Sequence, residues 1–162
     1  MAVAMYLKVE GVDGENTTQG HEQWIEVIRY KHGLKQPVSG VSATGGRTGG
    51  RADFEKLEIV KTIDQATPDL NLKCAKGEPI PKVELEICQA AGEKHTCMKY
   101  TIEDCIVASV EPGGSKSDEV KPLETVSFSY GKITWAYTPV DHQGNKGATT
   151  ERVWSLEEDA QA

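Results

Sequence analysis

The sequence lacks most features that would declare a function at once. No stretch approaches the ~18 consecutive apolar residues of a membrane-spanning helix, and the apolar opening MAVAMYLKVEG is broken by Lys8 and Glu10 before it reaches the length of a signal-peptide core. The expectation is a protein that begins in the cytoplasm, does not insert into a membrane, and reaches the extracellular space only by a route without a cleaved signal. Positive charge is in deficit: 18 Lys and Arg stand against 25 Asp and Glu, a formal charge of −7. A chain of that sign repels phosphate backbones except at a local basic patch, so nucleic acid is not an expected partner. The four cysteines, Cys74, Cys88, Cys97 and Cys105, include no C-x-x-C pair, and no zinc spacing fits them. Free buried thiols are expected, with no metal and no cofactor.

Catalytic motifs are missing as well. The loop Gly45-Gly46-Arg47-Thr48-Gly49-Gly50-Arg51 is rich in glycine but has no lysine of a phosphate-binding loop and precedes a strand rather than a helix. As an RNA-binding box it is a single partial copy on an acidic chain. His95-Thr96-Cys97 brings a base and a thiol together without any sign of an oxyanion donor or a lowered thiol pKa. His21, His32 and His142 fall in turn-rich sequence and read as solvated loop residues. The chain is not expected to be an enzyme.

What the sequence does have is strand periodicity in one domain spanning residues 1–162. Apolar residues alternate at Val3, Met5, Leu7 and Val9; through Trp24 to Lys31; at Leu57, Ile59 and Ile63; and at Val83, Leu85 and Ile87. They do so again at Met98, Tyr100 and Ile102, along Cys105 to Val110, from Val126 to Tyr130, and at Ile133, Trp135 and Tyr137. One segment departs from this: Thr67 as a cap, Pro68 at the first helical position, Asp69 in the first turn and Gly77 at the end predict a short helix over about 67–76. Many short strands with one helix and no βαβ spacing imply a mainly β fold, an antiparallel barrel or sandwich.

The pattern Leu123-x-Glu-x-Val126-x-Phe128-x-Tyr130-x-x-Ile133-x-Trp135-x-Tyr137-x-Pro139 resembles the closing hairpin of the Hcp family, the tube protein of bacterial type VI secretion systems. The opening MAVAMYLKVEGVDGE is similar to that family's first strand; Ile25-Glu26-Val27 with Gly33 to its second; Leu57-x-Ile59-x-Lys61-x-Ile63-Asp64 to its third; and Thr67-Pro68-x-Leu70 with Cys74 and Gly77 to its helix. The resemblance runs from Met1 to about Pro139, and Trp154 falls where the family often has a Trp in its last strand. It implies a β-barrel of two antiparallel sheets with one short flanking helix, related to phage tail-tube proteins. By the same resemblance the subunit forms hexameric rings that stack into a hollow tube inside a contractile sheath, capped by spike proteins and expelled with secreted effectors, which the ring lumen also receives or chaperones.

Two surfaces follow from the resemblance. About twenty residues, roughly 33–52, show no regular periodicity, too long for an ordinary connection; Gly40, Ser42, Gly45, Gly46, Arg47, Gly49, Gly50 and Arg51 would form a pliable arm that reaches a neighbouring subunit or ring. The strand from Trp24 to Lys31 mixes large apolar and charged side chains on both faces, so one face cannot be wholly core. Arg29 and Lys31 on that strand are the expected lumen contacts for effectors. A monomeric barrel that binds a small ligand in its interior is the rival reading.

Overall fold

The computed structural model describes residues 3–38, 49–91, 93–117 and 120–162, apart from the side chains of 90–94. Among the described residues, ten strands form two antiparallel sheets and two more a separate ribbon, with one helix. Sheet A runs β12 (Ala160–Gln161), β11 (Thr150–Ser155), β10 (Lys132–Tyr137), β8 (Glu93–Gly113), β7 (Ile80–Ala91), β1 (Val3–Val9), β2 (Ile25–Val27). Sheet B pairs β3 (Arg29–Lys31) with β6 (Leu57–Thr62), β6 with β9 (Leu123–Ser129), and β9 with β8. A small ribbon joins β4 (Leu34–Lys35) to β5 (Asp53–Phe54).

The sheets are connected twice, each time by a stretch of chain that changes sheet. On one side β8 pairs with β7 and β10 along its first half and with β9 along its second, bending where Asp104 takes a left-handed φ of 54°. Gly131 allows this corner, because a Cβ there would lie 2.8 Å from the Asp104 carboxylate. Periodicity alone divides Met98–Ile102 from Cys105–Val110, yet they are one bent strand. On the other side Trp24 to Lys31 is not the single strand its alternation implies. It breaks at Ile28, whose N–H bonds Val60, so that Ile25–Val27 pairs with β1 while Arg29–Lys31 pairs with β6.

Between the sheets lies a continuous core in which Leu7, Leu57, Ile59, Val83, Leu85, Ile102, Phe128 and Ile133 are fully buried. Each such side chain contributes roughly 1.5–3 kcal/mol of burial free energy. The helix α1 (Ala66–Lys76) adds Ala66 and Leu70 to this core. Its end is as expected: Gly77 is left-handed, with the N–H groups of Gly77 and Glu78 returning to the carbonyls of Cys74 and Lys73. Its start differs from the expected Thr67 cap. The Asp64 carboxylate accepts from the Ala66 N–H at 3.0 Å, and the Thr67 hydroxyl, already inside the helix, accepts from the Asp64 N–H at 3.0 Å. Thr67 is then free to donate to Glu124 at 2.7 Å.

That last contact belongs to a buried ionic group. Lys61 and Glu124 stand opposite each other on β6 and β9 with side chains fully buried, and they are ion-paired. The Lys61 ammonium also meets Asp64 Oδ1 at 2.8 Å, the Thr62 carbonyl at 3.1 Å and Thr67 Oγ1 at 3.2 Å. Glu124 Oε2 has no hydrogen-bond partner.

Candidate functional site

The segment expected to form an arm has an ordered stem. Leu34 pairs with Phe54 and Lys35 with Asp53, the bridge Val38–Gly49 continues outward, and the Gly50 N–H donates to the Gln36 side-chain carbonyl at 2.7 Å. The arm therefore leaves the body as a two-stranded ribbon rather than as irregular coil, an arrangement that two-residue strands do not announce in sequence. Gly40, Ser42, Gly45, Gly46 and Arg47 lie outside the described residues, whereas Gly49, Gly50 and Arg51 form the returning limb. Arg51 turns back onto its own subunit, donating to the Leu156 carbonyl at 2.8 Å and standing 4.0 Å from Asp159. Phe54, at the ribbon's root, stacks between Trp135 at 6.3 Å and Trp154 at 6.5 Å. Leu34 and Val38 on the outgoing limb are 50% and 59% exposed, large apolar side chains that the subunit does not cover.

Beneath the ribbon is a hydroxyl relay. The Tyr130 hydroxyl donates to the Glu55 carbonyl at 2.8 Å and so accepts from His32 Nε2–H at 2.6 Å. Burial lowers the His32 pKa, with nearby Glu55 opposing, and pushes the Tyr130 phenol upward. His32 is thus a half-buried, hydrogen-bonded member of the stem rather than a solvated loop residue.

The outer face of sheet B carries the residues expected to meet effectors. Lys31, Glu58, Ser127 and Ser109 lie in one register row across β3, β6, β9 and β8, and Arg29 begins the next. Ser109 and Ser127 bond each other. The row borders an open groove of about 480 Å³ that continues past Lys56 and Phe54. Among the described residues, Arg29 and Lys31 make no ion pair, and both are exposed.

Sheet A has a different exterior. The chain between β1 and β2 folds down over it, held by hydrogen bonds from the Gly14 N–H to Gln23 and from the Gln65 amide to Gly14. The approach is close enough to demand glycine, since a Cβ at Gly14 would lie 2.4 Å from the Trp24 carbonyl oxygen. This cover stacks His21 on Tyr6 at 4.4 Å and sets Trp24 edge-on to His21 at 4.8 Å. Tyr6 and Cys88 are therefore buried although they point away from the core. His21, expected in solvent, bonds the Glu86 carboxylate, which also accepts from Thr96 at 3.1 Å. Beyond the cover, Lys99 meets Glu84 at 3.0 Å and Glu86 at 3.5 Å, and Lys82 meets Glu84 at 3.3 Å. Although burial pulls the other way, these hydrogen bonds and charges leave the Glu84 carboxyl below and the Lys99 ammonium above its ordinary value.

Comparison with known proteins agrees with this architecture. Residues 6–137 match the family model described as "Type VI secretion system effector, Hcp". A protein named hcp1 from Pseudomonas aeruginosa is 31% identical over 164 residues, covering 100% of each chain. Another from the same organism, named major exported protein, is 28% identical over 134 residues, covering 76% of this chain and 74% of its own. A solved structure of a type six secretion system protein superposes with a TM-score of 0.95 at 33% identity, covering 99% of this chain and 100% of the other.

Proposed function

The chain belongs to the Hcp family of type VI secretion, and on that membership we propose that it is the subunit of a homohexameric ring whose stacking builds the inner tube. The tube runs inside a contractile sheath, is capped by a spike protein, and is expelled with secreted effectors; the ring lumen also receives or chaperones those effectors. The protein stays in the cytoplasm before firing and is extracellular afterwards, in keeping with the relative named for its export. The arm from Gly40 to Gly50, returning through Arg51, docks on the neighbouring subunit or ring, and Arg29 and Lys31 face the lumen.

The observation that carries this reading is the ribbon of β4 and β5, an ordered stem on which Leu34 and Val38 stay exposed. An apolar pair left exposed on an ordered ribbon suits a surface that another subunit covers. Docking must offset ~1–2 kcal/mol of ordering entropy for each residue fixed, and backbone pairing to a strand edge together with covered apolar surface supplies that.

Size-exclusion chromatography and negative-stain microscopy test the proposal. The purified chain is expected to run near six times its monomer mass without metal or nucleotide and to show rings. Replacing Ser42 to Gly50 with a short Gly-Ser linker should leave thermal stability nearly unchanged, because Phe54 and the hydroxyl relay below the arm are retained, while stacking and secretion are lost. A monomer at high concentration would instead support the small-ligand barrel, and normal tubes from the linker variant would make the arm a passive insertion.

A further inference from the structure

We propose that His21, Glu86 and Cys88 form a binding site for a single thiophilic divalent cation, best suited to Zn2+, beneath the cover on the outer face of sheet A. The three residues supply an imidazole nitrogen, a carboxylate oxygen and a thiol sulfur whose ligand atoms all lie within 4.8 Å of one another. Glu86 and Cys88 alternate on β7 and so project from one face, and the cover carries His21 onto them from 65 residues away in sequence. The register shift between β7 and β8 falls at Ile87 and Cys88, next to the ligands, where it sets Cys88 opposite Thr96. Tetrahedral zinc bonds of about 2.0–2.3 Å place ligand atoms ~3.5 Å apart. The ion would replace the direct His21–Glu86 hydrogen bond, whose two atoms must part to admit it while Cys88 Sγ is drawn in.

The surroundings suit a cation. The His21 ring is held between Tyr6 and Trp24, so its aim is fixed before an ion arrives. The Thr96 hydroxyl donates to Glu86 Oε2 at 3.1 Å and lies 3.6 Å from Cys88 Sγ, where it can orient both ligands. Lys99, at 3.5 Å, reaches the other carboxylate oxygen, Oε1, so Oε2, which accepts from His21 and Thr96 while no ion is bound, is the oxygen that would turn to the ion, and Glu84 at 3.0 Å balances the Lys99 charge. On binding, the Cys88 thiol releases its proton to solvent, so a 2+ ion with one thiolate and one carboxylate leaves the site neutral. The fourth position is open to water. In effect the ion would staple residues 13–24 to β7.

The test uses the assembled, chelator-treated protein with ZnCl2 and CoCl2. One Zn2+ per chain is expected by calorimetry, and Co2+ should give a thiolate-to-metal absorption band in the near ultraviolet. Cys88→Ser should remove that band and weaken Zn2+ at least tenfold, with His21→Gln and Glu86→Gln weakening it similarly. Cys97→Ser and His95→Gln should leave both readouts unchanged. Stoichiometric Zn2+ should also raise the urea midpoint of the wild type and not that of Cys88→Ser. X-ray absorption on the unmodified protein, showing one sulfur among nitrogen and oxygen ligands, keeps the proposal testable if a variant fails to fold. Absence of binding, a Co2+ spectrum without a thiolate band, or loss through Cys97 or His95 instead would overturn it.

Discussion

Sheet A pairs its charges on the outside and sheet B pairs its charges on the inside, and the contrast separates groups that hold the subunit together from groups left over for something else. On sheet A, Lys82, Glu84, Lys99 and Glu86 form a ladder across β7 and β8 at the edge of a cover that buries Tyr6 and Cys88. On sheet B the paired charges, Lys61 and Glu124, are enclosed between β6, β9 and the start of α1, while Arg29 and Lys31 stand on the surface with no ion pair among the described residues. Burial decides what each group is worth. A charge in the interior without its partner costs several kcal/mol, whereas an exposed pair contributes little.

The largest effect should therefore come from Glu124→Ala, which strands the Lys61 ammonium in the interior with only Asp64, Thr67 and a carbonyl to compensate. A loss of about 3–5 kcal/mol is expected by urea unfolding. Glu124→Gln should lose less, since its amide oxygen still accepts from Thr67 and Lys61. A loss below ~1 kcal/mol for the alanine variant would mean that water reaches Lys61 and that the inside of sheet B is not closed.

Next comes His32, at the junction between sheet B and the ribbon. Burial lowers its folded pKa. Above about pH 6.5 it is neutral in both states and contributes no pH dependence; as pH falls below that, the unfolded chain takes the proton first, and stability declines until the lowered folded pKa is reached. The difference in melting temperature between wild type and His32→Gln should accordingly narrow on acidification from pH 7 to 5. A difference that stays constant over that interval would remove His32 from the account.

How much of this was legible depended on how local its cause was. The alternations in β1, β6 and β10 and the glycine that ends α1 act over a few residues, and the sequence displays them. The sheet changes at Ile28 and Asp104 are set by which strand lies alongside, so alternation runs through the first and suggests two strands at the second. The helix start differs from the expected cap for a similar reason: Thr67 is an acceptable cap by type, but Asp64 reaches the first free N–H and releases Thr67 for Glu124. The His21, Glu86 and Cys88 group is absent from any spacing rule because its members come together only when the cover folds. Its sole local trace is the alternation of Glu84, Glu86 and Cys88, polar residues on a strand face that a solvated sheet would also show.

A smaller effect is expected on the ladder of sheet A. Lys99→Ala removes two contacts from groups that retain partial access to water, and about 0.2–1 kcal/mol should be lost. Because exposed charge pairs are screened within about 10 Å at 0.1 M salt, that loss should shrink as salt is raised. A loss that persists at 1 M salt would point instead to packing of the lysine stem over the sheet.

The smallest effect on stability, and the one that bears most on function, belongs to Arg29 and Lys31. Neither has a charged partner among the described residues, and both are exposed, so Arg29→Asp with Lys31→Asp should shift the urea midpoint by no more than about 0.5 kcal/mol. On the proposed assembly, ring formation should persist as well, since the β4–β5 ribbon and the arm are untouched. What should change is the cargo. Two positive charges become negative beside the groove of about 480 Å³ that Lys31 lines, and any effector held there through acidic groups would be repelled rather than attracted. Proteomics of the secreted fraction should then show selective depletion of effectors while the tube protein itself is exported at its usual level. If every effector kept its abundance, the unpaired charges of sheet B would be no more than solvated surface, and the contrast between the two sheets would concern stability alone.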